Sequence, residues 1–343
     1  MKIPPHIARN IKKAGGLNGA KCGEDGEVRW DQGRGLYPLP GFVPWWFFHE
    51  DSFGYYWPLG RETGDPVVCF INDEHYGLLP IASSMEAFLK MHYASSGVDW
   101  NDDPDDAEEM DLWGARAMEC ARDFELDLQG VQKLPATLKE IEYWHASSPE
   151  DLLPLDPRSP HLLLLSARQI LGEGDLTGAE ANVRRALDVL PEYCAATFAL
   201  IQILRRQART RESIDAMLEF LTSPGVFGGW QGYDTCLGWL QRMRDKEYPE
   251  CDDPYWLRRN EISLTTGVKR NDTFLVYYEI IDAYRAQGRH LRAVKMRIRT
   301  NELFSGETVS FRDRYGWTEG RFLAGLREDF DLAGIRGRPP QPQ

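Results

Sequence analysis

The stretch from Val43 to Leu89 constrains the fold more than any other part of the chain. Trp45, Trp46, Phe47, Phe48, Phe53, Tyr55, Tyr56 and Trp57 fall in two short runs, and Val67, Val68, Phe70 and Ile71 form a third. Aromatic and β-branched runs of this length, broken by Gly54, Pro58, Gly60, Gly64 and Pro66, predict neighbouring strands of one sheet. Ser83 or Ser84 then offers a helix cap, with Met85, Phe88 and Leu89 at helical spacing. The expectation is a β-meander closed by a helix. Alternation along a strand buries one face, which leaves either Trp45 and Phe47 or Trp46 and Phe48 for the other.

The same residues carry a family likeness. Gly54, Tyr55 and Tyr56 form a G-x-x-Y-type strand, Asp65, Val67 and Val68 a D-x-V-V strand, and Ala82, Ser84, Phe88 and Leu89 an A-x-S-x-x-x-F-L helix. In these motifs the stretch resembles the SUKH superfamily. Residues 4–35 depart from the leucine-proline helix and Asn-Gly turn pattern usual at the start of that fold. The resemblance implies an α+β domain, mostly antiparallel sheet with flanking helices, that binds rather than catalyses. Many bacterial members are immunity proteins that neutralise a secreted toxin, often a nuclease.

Charge divides the chain of 343 residues unevenly. Residues 1–155 carry 27 Asp and Glu against 13 Lys and Arg, a net −14, while the remainder carries 26 against 27. A field of this sign repels nucleic acid and steers basic partners toward it in a salt-dependent way. Its densest part is Asp99, Asp102, Asp103, Asp105, Asp106, Glu108, Glu109 and Asp111, with no base between them. Pro104 with acids in the first turn is a dipole-matched helix start, so a helix is expected from there to about Leu128. The same acids are also a candidate patch for a basic partner.

Pro149, Pro154, Pro157 and Pro160 mark a composition shift, and the pattern beyond them is helical. Ala167, Gly174, Ala179, Ala186 and Pro191 follow one another at spacings of 7, 5, 7 and 5. These are the small-residue and proline positions of a tetratricopeptide unit, a helix hairpin of about 34 residues. Small residues let two helices approach, and Pro191 ends the second. Looser units follow around Phe198 to Pro224 and Tyr277 to Ala293. Between them, Cys236 to Met243 and Pro254 to Thr266 are expected to form a helix pair with Trp239 and Trp256 facing inward. The division is thus a SUKH-like domain over 1–150 and an all-α, tetratricopeptide-like repeat domain over 156–335.

Catalytic signatures are sparse. His49 precedes Glu50 and Asp51, and His75 follows Asp73 and Glu74, but no H-x-x-x-H or H-E-x-x-H spacing occurs. There is no G-x-S-x-G elbow, and GGLNGAKCG lacks the Lys-Ser/Thr ending of a phosphate loop and reads as a flexible loop. Six scattered cysteines without a C-x-x-C pair read as reduced thiols, with Cys69 inert inside an apolar strand. No enzyme, cofactor or metal is expected. No apolar run reaches membrane-helix length and the N-terminus lacks a signal-peptide core, so the expected location is cytoplasmic with no membrane partner.

The functional expectation is an immunity protein that binds a basic cognate toxin domain, a nuclease, and occludes its active site without touching nucleic acid itself. Candidate contacts are Glu50, Asp51, Asp73, Glu74, Asp102, Asp103, Asp105 and Asp106, with Trp45 and Trp46 as aromatic anchors. The alternative is a helical-repeat adaptor or chaperone for a secreted effector, holding a peptide in a concave groove.

Overall fold

The structure, a computed structural model, describes residues 20–22, 28–30, 42–48, 51–61, 64–72, 77–95, 117–119, 121–122, 126–132, 134, 149–263, 268–304 and 318–335. It opens with a small antiparallel ribbon, β1 (Ala20–Cys22) on β2 (Val28–Trp30). The end of GGLNGAKCG is therefore strand rather than loop. A four-stranded antiparallel meander follows, in the order β3 (Phe42–Phe48), β4 (Asp51–Tyr56), β5 (Val67–Asn72) and β6 (Gly77–Ala82). Helix α1 (Met85–Ser95) closes it as expected, capped by Ser84, whose Oγ accepts the Ala87 N–H at 3.1 Å.

Two features of the sheet depart from the sequence reading. Pro44 pairs with Gly54 but Trp46 pairs with Phe53, so Trp45 is an extra residue at a bulge. A bulge breaks the two-residue period, so alternation cannot assign Trp45 and Phe47 to one face. The second departure is larger. Both faces of the sheet are buried. Phe53, Tyr55, Val68, Phe70 and Ile81 pack with Phe88, Leu89 and Met91 of α1. Tyr56, Val67, Cys69, Ile71 and Leu78, alternating with them, pack against the helical part through Leu163, Leu200, Ile298 and Leu326.

The helical part begins with α2 (Pro149–Leu152), then runs α3 (Pro160–Gly172), α4 (Leu176–Val189), α5 (Cys194–Arg206) and α6 (Thr210–Thr222). Hairpin α5–α6 begins 34 residues after hairpin α3–α4, helix for helix. Two shorter helices, α7 (Tyr233–Arg242) and α8 (Pro254–Arg258), lead to α9 (Val268–Ala286), α10 (His290–Phe304) and α11 (Glu319–Ala333). Three hairpins share one left-handed turn: Gly174 has φ +92°, Ala208 +57° and Gly288 +71°. Seven residues earlier lie buried Ala167, Ile201 and Ile281, and five later lie buried Ala179, Ser213 and Ala293. The shared logic is close helix contact on both sides of a tight turn, which only small or apolar side chains permit. Trp256 is buried as expected, but Trp239 is only half-buried.

The segment between sheet and helices is itself packed. Asp156 accepts from Ser83, both backbone N–H and Oγ, at 2.7 Å. Ser159 Oγ donates to the Ile81 carbonyl at 2.7 Å while accepting the Leu162 N–H at 3.2 Å, which caps α3. Leu78 N–H donates to the Val226 carbonyl at 2.7 Å, in the loop between α6 and α7. Pro149 to Pro160 thus marks a change from sheet to helix without separating two cores. The helix expected from Pro104 to Leu128 lies mostly outside the described residues. Residues 117–119 and 121–122 are helical, but 126–128 are not. Among the described residues, no helix is long and apolar enough to cross a membrane.

Candidate functional site

The expected contact residues divide into two sets. Trp45 and Trp46 lie in β3, and Asp51 opens β4 opposite Phe48. Glu50, Asp73, Glu74, Asp102, Asp103, Asp105 and Asp106 lie outside the described residues, as do His49 and His75. Backbone pairing brings β3 and the start of β4 together, which places Asp51 two residues from Phe53, the partner of Trp46.

A cluster that sequence reading missed lies at the centre of the molecule, around α10. Arg292 and Lys295 both reach Glu219 of α6, at 2.8 and 2.7 Å, and Lys295 also faces Glu192 at 4.0 Å. Glu192 Oε1 accepts the Leu59 N–H at 3.0 Å, which ties the end of β4 to the corner before α5. Arg297 pairs with Asp329 of α11, and Arg285 of α9 pairs with the same carboxylate. Arg299 and Glu302, both buried, approach at 3.3 Å. Glu302 also accepts the Gly225 N–H at 2.6 Å, while Arg299 donates to the Gly229 carbonyl at 3.1 Å. Its guanidinium lies 4.7 Å from the Trp230 ring centre and 4.4 Å from that of Tyr233. A Cβ on Gly225 would sit 1.6 Å from Arg299 Nη1, so a larger residue there would have to displace that guanidinium.

The electrostatics follow from burial and pairing. Burial would raise Glu219, but the Lys295 and Arg292 charges overcome it and hold its carboxyl at about 2. Burial wins at Glu192 and Glu302, whose carboxyls stand above the ordinary range despite Lys295 and Arg299 respectively. The hydroxyls of Tyr233, Tyr255 and Tyr277 bond to one another at 2.7 to 3.5 Å, and burial raises all three. Cys194 is pushed by burial up to about 12, and Cys69 well above its usual range. Protonated thiols are poor nucleophiles and poor ligands. These groups tie α5 to α11 and the 224–232 loop together through buried polar contacts.

The surface offers a different arrangement at the α5–α6 turn. An open basin of about 450 Å³ is lined by Ala208, Arg209, Thr210, Arg211, Glu212 and Glu247. Arg209 is held by Glu180 at 2.6 Å and by Glu212. Arg205 and Arg206 end α5 just before this lining, and Arg242 and Arg244 precede Glu247 on the other chain segment. Arg205 lies 3.7 Å over the Trp239 ring, which itself runs parallel to Phe198 at 5.9 Å. Desolvation and the like charge of Arg242 lower Arg205 from its ordinary range.

A family model and a known sequence resemble parts of this chain. Residues 26–103, from just before β2 to beyond α1, match the family model described as the YfbP N-terminal domain. Over 281 residues the chain is 23% identical to a protein of Escherichia coli (strain K12) described as the uncharacterized protein YfbP, covering 81% of this chain and 82% of that protein. An alignment of that length cannot fit in either half alone, so the likeness spans sheet and helices together.

Proposed function

We propose that this chain is a non-catalytic binding protein whose acidic amino-terminal half docks onto a basic protein partner. The observation that carries the reading is the net −14 of residues 1–155 beside a near-neutral remainder. Like charges of that density favour a basic surface and disfavour nucleic acid. The SUKH resemblance of residues 43–89 gives the reading its specific form: an immunity protein that occludes the active site of a secreted nuclease toxin. In that form Glu50, Asp51, Asp73, Glu74, Asp102, Asp103, Asp105 and Asp106 take the place of substrate phosphates, with Trp45 and Trp46 as anchors.

The test is to mix the protein with the toxin domain encoded beside it and follow Kd against salt. Tight binding that weakens steeply with salt, and loses at least about tenfold when Asp102, Asp103, Asp105 and Asp106 become Asn, supports the mechanism. Salt-independent binding, or none, removes it. A second reading, a helical-repeat adaptor for a secreted effector, draws support from the 34-residue recurrence of hairpins α3–α4 and α5–α6, the period of tetratricopeptide repeats. Cutting the chain at residue 156 cannot separate the two, since one core spans the cut. Surface substitutions on each part can.

A further inference from the structure

Most arginines of the helical part have a carboxylate partner. Arg184, Arg209, Arg211, Arg258, Arg259, Arg285, Arg289, Arg292, Arg297 and Arg299 all form ion pairs. Among the described residues, Arg205, Arg206, Arg242 and Arg244 form none, as is also true of Arg158, Arg168 and Arg185, and all of these are exposed. Arg205 and Arg206 end α5, and Arg242 and Arg244 lie at and just past the end of α7. Arg205 and Arg242 stand close enough for the charge of one to act on the other.

The stack explains why the arrangement suits a ligand. The Arg205 guanidinium lies 3.7 Å over the half-buried Trp239 ring, which runs parallel to Phe198 at 5.9 Å. A guanidinium stacked on an aromatic ring keeps N–H donors for a carboxylate, which it can grip with two parallel hydrogen bonds. Arg242 supplies a second positive charge near it, and an open basin lined by Arg209, Arg211, Glu212 and Glu247 lies just past the end of α5. We infer that the surface built by Arg205, Arg242 and Trp239, with Arg206 and Arg244 flanking, is a docking site for an acidic polypeptide segment of a partner protein. Charge complementarity selects the occupant. A nucleic acid meets the repulsion of the whole chain, whereas a short acidic segment meets only the local patch.

This site is separate from the acidic half, so its test is independent of any toxin. Full-length protein is titrated into a short fluorescein-labelled peptide of glutamate and serine, with a glutamine-and-serine peptide and a single-stranded oligothymidylate as parallel probes. Saturable binding of the glutamate peptide that weakens with salt is expected, with the other two probes weaker. The double variant R205Q/R242Q should lose about tenfold or more in affinity with its circular dichroism unchanged. R205K, which keeps charge but loses the flat fork, should lose a smaller part. R258Q, which breaks a pair elsewhere on the surface, serves as the control and should bind as the parent does. No saturable binding of the glutamate peptide, an unchanged Kd in R205Q/R242Q, or tighter capture of the oligothymidylate would each overturn the proposal.

Discussion

Removing Glu302 should be among the most damaging single changes in the molecule. Its carboxylate is fully enclosed, lies 3.3 Å from Arg299 and accepts the Gly225 N–H at 2.6 Å. Glu302→Ala leaves an enclosed guanidinium without its counter-charge and a backbone donor without its acceptor. Breaking a buried pair from one side costs about 3–5 kcal/mol. Arg299→Met is expected to cost less, about 2–3 kcal/mol, because the remaining carboxyl can take up a proton and keep Gly225. Burial already holds Glu302 above the ordinary carboxylate range, so this outlet is open. The double change R299M/E302A removes both charges and should cost roughly 2–3 kcal/mol less than the sum of the two. With an unfolding entropy of ~2.1 cal/mol/K per residue, a chain of 343 residues loses about 1.4 °C in Tm per kcal/mol. Glu302→Ala should therefore lower Tm by about 4–7 °C in a calorimetric scan. Effects that add to within about 0.5 kcal/mol would refute the buried pair as the source of the coupling.

Three further outcomes follow from other contacts. Ala208→Gly should raise stability by about 0.5–1 kcal/mol, because alanine at φ +57° bears a left-handed strain that glycine does not, and Gly174→Ala should do the reverse; chemical denaturation measures both. Phe227→Ala, which empties the contact with Tyr56 at 4.8 Å between the ring centres, should cost about 3–5 kcal/mol and loosen the sheet from the helices, as hydrogen exchange at β4 would report. The depressed carboxyl of Glu219 makes stability present above its ordinary 4.5 and lost as pH falls toward about 2. Across that window Glu219→Gln should flatten the acid loss by up to about 3 kcal/mol, and an unchanged acid limb would rule out the pairing with Lys295 and Arg292.

Local chemistry was legible without coordinates. The aromatic runs, their glycine and proline breaks and the serine before Met85 specify strands and a capped helix, since these signals act over a few neighbouring residues. Gly174 and the alanines around it marked a helix hairpin for the same reason. One long-range clue was present but passed over: Val67 to Ile71 is continuously apolar, the pattern of a strand buried on both faces. Other features had no local signal at all. Arg292, Lys295, Arg297 and Arg299 read as an ordinary basic helix face, and only the fold sets Glu219, Asp329 and Glu302 against them.

Arg205 and Trp239 likewise lie on separate helices, and their stacking depends on how α5 and α7 pack. Periodicity and turn chemistry belong to segments and are written in the order of residues. Charge pairing, two-sided burial and the choice of which arginine stays unpaired belong to distances between segments, and those exist only once the chain has closed on itself.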